Sequence, residues 1–214
     1  MPNVPGNRAP GVGWRNAWSG ADGHRRRWRE ETRRGRGGIT VTVQDTLVHY
    51  LERLTALMEK IERHDTAEHG ILQASLAPDM FPLHTQARIA ANFALRACCR
   101  LARVPEVCFD AGDDRDDGQV NRYASVREQL DRSREFILTL SIPRDPVDSP
   151  PGEDTAGHAA ISLPMDEYIQ AFALPNFFFH LSMVYAIARA EGVPLGKEDF
   201  DGYHRYPPGF SFLQ

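Results

Sequence analysis

Residues 41–63 read VTVQDTLVHYLERLTALMEKIER, the most regular apolar pattern in the chain. Its apolar side chains Val48, Leu51, Leu54, Met58 and Ile61 recur at steps of 3, 3, 4 and 3, and Leu47, Tyr50 and Leu57 widen the stripe. That period predicts a helix burying one broad face, with Thr42 or Asp45 as its cap. Leu83 to Ala102 predicts a second helix, with Ile89, Phe93 and Ala97 on one side and alanines that permit close packing. A third spans Val120 to Leu140, turning Val126, Leu130, Ile137 and Leu140 inward beneath a mixed-charge outer face. A final helix covers Asp166 to Glu191, bent at Pro175 and stopped before Gly192-Val193-Pro194. Four amphipathic helices without a clear strand run predict an all-α, four-helix antiparallel bundle.

The connections read differently. Ala77-Pro78-Asp79-Met80-Phe81-Pro82 is too rich in proline for a helix interior and predicts a buried turn feeding the second helix. Val104 to Gly118 carries five aspartates but misses the calcium-loop register, so it reads as a solvated acidic loop. Ile142 to Gly157 is a loop of Pro, Asp and Gly, and Ala159 to Leu163 is a short strand or extended connector.

The chain has 214 residues, enough for one domain plus tails. With 42% hydrophobic and 25% charged residues it is neither wholly disordered nor membrane-embedded in composition. The richest apolar run, Tyr168 to Ala190, is interrupted by Pro175, Asn176 and His180, so it reads as buried helix and no membrane span is expected. Three cysteines, two adjacent, form neither a disulfide framework nor a zinc ribbon, which fits a reducing, cytoplasmic setting.

The net charge of -4 is the sum of unlike pieces. Residues 1–38 hold nine Arg against Asp22, Glu30 and Glu31, giving 9 - 3 = +6, so the remainder carries -4 - 6 = -10. The arm also holds all three Trp and has no sustained periodicity, which predicts disorder. It reads as a dispensable extension, as a grip on nucleic acid or anionic lipid, or as an organelle presequence. Any nucleic-acid affinity belongs to this arm alone, because the acidic body repels phosphates. The division is therefore a disordered arm at 1–38, a helical domain at 39–202 and a tail at 203–214.

Two long runs carry a resemblance. They are Leu76-Ala77-Pro78-Asp79-Met80-Phe81-Pro82-Leu83 followed by Gln86, and Phe172-Ala173-Leu174-Pro175-Asn176-Phe177-Phe178-Phe179-His180. Tyr185-Ala186-Ile187, then Gly192-Val193-Pro194-Leu195-Gly196-Lys197 and Asp199-Phe200, extend it. From Thr40 to Asp201 the chain resembles an uncharacterised family of bacterial and fungal proteins with a domain of unknown function. That family is similar to the DinB/YfiT-like superfamily of metalloenzymes, whose fold is a four-helix bundle. The resemblance implies a divalent metal held by three His, two of them one turn apart on a late helix. Here His180 has Val184 four positions on and Asn176 four positions before, so the three-His set does not carry over. The motif residues that do are Asp79, Gln86, Asn176 and His180.

Asn176 and His180 share a helical face otherwise filled by Phe172, Phe179 and Met183, where apolar side chains would pack more cheaply. One reading places them in a small-molecule or metal pocket, with His180 as a metal ligand and Asn176, Gln86 and Asp79 lining the cofactor site. The other makes them an internal hydrogen-bond network tying the Pro78–Pro82 turn to the last helix. His49 and His84 are expected at the surface, and Cys98 and Cys99 in the core. The sequence thus predicts a small-ligand-binding or structural bundle, with a homodimer as its partner state. The alternative is a metal-dependent transferase or hydrolase with His180 as one ligand.

Overall fold

The computed structural model describes residues 41–66, 70–109, 122–143, 150–207 and 210. The expectations for the arm at 1–38, for most of the acidic loop and for the end of the tail lie outside them. Helix α1, Val43–His64, starts at Thr42, whose hydroxyl accepts the Asp45 N–H while the Asp45 carboxylate accepts the Thr42 N–H. This reciprocal cap satisfies two otherwise orphaned backbone donors. The stripe read from the sequence is the buried face: Leu47, Leu51, Leu54, Leu57, Met58 and Ile61.

A 3₁₀ turn, Ile71–Gln73, and the proline-flanked turn lead into α2, Leu83–Ala102. Pro82 caps α2 where its missing N–H costs nothing, and the Leu83 N–H returns to the Ala74 carbonyl at 2.9 Å. Phe81 in that turn is exposed, so the expectation of two buried apolar side chains there is corrected. Helix α3, Arg122–Thr139, packs against both α1 and α2. A polar seam joins it to α2, where Arg88 donates to Gln129 (2.8 Å) and Ser125 (2.9 Å) and Gln129 donates to Asn92 (3.1 Å).

The segment read as a Pro, Asp and Gly loop contains a strand. β1, Gly152–Ala156, pairs antiparallel with β2, Ala159–Leu163, around a two-residue turn in which Gly157 takes φ 63°. A glycine at the first turn position is what a tight hairpin of this kind requires. The protein is therefore mostly helical with a small two-stranded sheet: β2 occupies the segment read as a short strand or extended connector, whereas β1 corrects the loop reading of residues 152–156 and the purely all-α expectation.

The last long helical run starts as a single α-turn, Met165–Glu167. It widens into π-helix at Tyr168–Ala173 and returns to α geometry in α4, Leu174–Ala190. Pro175 can neither donate to the preceding turn nor avoid its carbonyl, and the wider turn just before it takes up the misfit. The Leu174 N–H accordingly reaches Ile169, five residues back. The irregularity thus precedes Pro175 and spans six residues. Met165–Ala190 contains an 18-residue window with a mean hydropathy of 1.5, so by length and composition it is long and apolar enough to cross a membrane, contrary to the expectation from its interruptions. In the fold its Phe177, Leu181, Val184 and Ile187 are buried, and α4 packs along α2. A short α5, Lys197–Asp201, closes over α1 through Lys60–Asp199 at 3.0 Å, and Tyr203 stacks on His49. The described residues from Thr42 onward form one compact unit.

Candidate functional site

The α2–α4 interface buries the two most anomalous polar side chains, Gln86 at 2% and His180 at 9% exposure. His180 Nδ1 lies 2.6 Å from Gln86 Oε1, and Gln86 Nε2 donates to the Phe81 carbonyl at 3.1 Å. The second bond fixes the amide's orientation, so its oxygen faces the ring and the ring must donate from Nδ1. The imidazole is stacked on Phe93 at 5.8 Å and meets Phe179 edge-on at 5.2 Å. Burial pushes its pKa below the ordinary histidine value. The result is a neutral Nδ1–H imidazole that ties α4 through Gln86 to the proline-flanked turn.

The other two motif residues are not brought to this pair. Asn176 Nδ2 donates to the Phe172 carbonyl of its own helix at 2.8 Å, and Asp79 is exposed in the turn. Asn176 and His180 therefore do not form a joint polar centre, which corrects the expectation from their spacing. An asparagine next to a disrupted helical ladder can satisfy a nearby carbonyl locally instead.

A second cluster lies farther along α2. Arg96 and Arg100, one turn apart, face the hairpin and the π-helical segment. Arg96 Nη1 donates to both Asp154 oxygens at 3.0 and 3.2 Å. Asp154 also accepts the Tyr168 hydroxyl at 2.8 Å and the Thr155 N–H at 2.7 Å. Arg100 Nε donates to the Tyr168 oxygen at 3.2 Å, and Glu106 stands beside both arginines at 3.2 and 3.4 Å. Burial alone would raise the Asp154 carboxyl, but the Thr155 N–H, the Tyr168 hydroxyl and Arg96 outweigh it and hold the pKa below the usual value. Burial, with the Asp154 bond, pushes the Tyr168 phenol up to about 12.

Phe93 links the two clusters, because His180 stacks on its ring and the Arg96 guanidinium sits 4.9 Å from its centroid. Beside the second cluster an open cavity of about 590 Å³ is lined by Arg100, Glu153, Asp154, Thr155, Ala160, Ile161 and Ser162. Arg100 is its one cationic lining residue among the described residues, and its Nη1 takes no protein partner there. Asp154 is saturated, whereas the Glu153 side chain is exposed. The sequence pattern missed this site. Its one legible signal was the pair of arginines four residues apart on an alanine-rich helix; Asp154 looked like one loop acid among several.

The side chains do not fit a three-His metal centre. Among the described residues no three His, Cys, Asp or Glu converge. His49 Nε2 bonds the Asp201 carbonyl at 2.9 Å, His84 lies beside Thr85, and His204 pairs with Asp201. His49 and His84 are half-buried rather than fully at the surface. Cys98 and Cys99 are buried, and burial pushes the Cys98 thiol up to about 12, as for an inert core residue.

Comparison with known proteins agrees with the architecture. A family model described as "Domain of unknown function (DUF1993)" matches residues 40–201. Among solved structures, the chain is similar in fold to a DinB family member protein from Shewanella denitrificans. The TM-score is 0.58 at 24% identity, covering 78% of this chain and 93% of that chain. No curated protein matches.

Proposed function

The chain belongs to the DUF1993 family, and from that premise we propose a non-catalytic, small-ligand-binding protein built as a DinB-like four-helix bundle. Gln86 and His180 act as a brace, and the ligand enters the cavity between α2 and the hairpin. One observation carries this reading: Arg100 lines the cavity with its guanidinium held by Tyr168, Glu106 and Asp154, and among the described residues its Nη1 has no hydrogen-bond partner. A guanidinium fixed by its neighbours is pre-organised for an oxyanion. Hairpin residues Glu153, Thr155 and Ser162 border the same cavity and add polar groups for the ligand's other end. A small molecule with one carboxylate and one amine or hydroxyl meets both demands.

The test is titration with glycine, glutamate, succinate and inorganic phosphate, followed by amide and guanidinium chemical shifts. Saturable shifts at Arg100 and Thr155 that vanish in Arg100→Gln and survive in His180→Ala are expected. Metal analysis after mild dialysis supplies the contrary outcome. Stoichiometric nickel, zinc or manganese, lost on His180→Ala, would replace this reading with the metal-dependent transferase or hydrolase.

A further inference from the structure

The hairpin has two edges of unlike character. Its two-residue turn makes Ala156 and Ala159 the closing hydrogen-bonded pair, so Asp154–Ile161 and Gly152–Leu163 are bonded as well. The backbone groups of Glu153 and Thr155 then point out from one edge, and those of Ala160 and Ser162 from the other. On the β1 edge the Thr155 N–H is taken by the neighbouring Asp154 carboxylate, and Glu153 adds a charge. Such devices protect an edge. β2, the run Ala-Ala-Ile-Ser-Leu, has no charge, proline or bulge, and Ala160 and Ser162 are exposed with no partner beyond the hairpin among the described residues. An uncharged strand with open backbone groups is a template for another strand.

We propose that the β2 edge pairs antiparallel with β2 of a second copy of this chain, about a two-fold axis at Ile161, to form a continuous four-stranded sheet. The register is self-complementary. Ala160 faces Ser162 of the other copy and Ser162 faces Ala160, each pair exchanging two N–H···O=C bonds, while the two Ile161 residues fall opposite each other between them. No charged side chain lies on either paired strand. The same pairing through β1 would bring the two Asp154 residues together, each already committed to Arg96. The second copy is therefore favoured on the β2 side. Ala160, Ile161 and Ser162 also line the ligand cavity, so the paired copy borders it. The full chain's net charge of -4 opposes association at long range, so salt, by screening it, favours the dimer.

The experiment is sedimentation of the full chain across concentration at low and high salt. A reversible dimer, promoted by salt, is expected. Ser162→Pro deletes an outward N–H that the hairpin does not use, so it should weaken the dimer about tenfold or more with little change in melting temperature. If that variant fails to fold, Ser162→Asp sets like charges near one another across the axis and should weaken the dimer in its place. Register is read in a Cys108→Ser background. A mixture of Ala160→Cys and Ser162→Cys chains should cross-link, and Ala160→Cys alone should not. A chain that stays monomeric, a dimer indifferent to both Ser162 variants, or cross-linking by Ala160→Cys alone would overturn the proposal. So would β2 amides that shift only with an unrelated extended peptide.

Discussion

His180 Nδ1 and Gln86 Oε1 face each other at 2.6 Å across the α2–α4 interface, and neither group has water as a full alternative. Removing either partner strands the other. Replacing His180 by Ala or Gln86 by Leu should each cost about 1 to 3 kcal/mol. The double variant should cost less than the sum, and urea denaturation of the four proteins measures the coupling.

Acid should act on this pair before it reaches any carboxylate. His180 has a folded pKa depressed by burial, so below the ordinary histidine value the unfolded chain binds a proton that the folded chain refuses. Stability is expected to be full above about pH 7 and to fall as pH drops through about 6.5 toward the lower folded value. Melting curves from pH 8 to 5 should show that fall in the native chain and lose much of it in His180→Asn.

The carboxylate cluster titrates in a separate window. Asp154 and Asp201 both have folded pKa values below the ordinary aspartate value, held there against burial by their hydrogen-bond donors. Their contribution is complete above the unfolded value, near 4, and is lost as pH falls through the folded one. Asp154→Asn should therefore flatten the acid limb below about pH 4 without altering the limb near 6.5. Denaturation at pH 3, 4 and 5 separates the two.

Gly152 is required by a close approach. A Cβ there would come within 2.3 Å of Tyr168 Cγ. Gly152→Ala must displace either β1 or the Tyr168 ring, and a loss of about 1 to 3 kcal/mol is expected, as for other overpacked sites. Hydrogen exchange should show the hairpin amides opening first, with α1 protection unchanged.

The long helices were legible because their apolar steps match one buried face, as the run from Leu47 to Ile61 shows. The hairpin was not. Its strands are five residues each, β1 contains Gly and Asp, and the turn Gly157–His158 lacks the commonest hairpin pairs. His180 stood out as a polar group on an apolar face, and the structure supplies Gln86 as its partner. The partner suggested by spacing, Asn176, bonds its own helix where the π-helical turn and Pro175 perturb the ladder. Arg96, Arg100, Asp154 and Tyr168 meet only because that turn and the hairpin approach α2, a long-range pairing that no local period encodes.

The nitrogen chemical shifts of the His180 ring, followed from pH 8 to 5, report its tautomer and charge. A brace predicts a neutral ring protonated at Nδ1, titrating below the ordinary histidine value and losing its tautomer preference in Gln86→Leu. An Nε2–H tautomer, a ring already charged at pH 7, or shifts that move on adding zinc would contradict it.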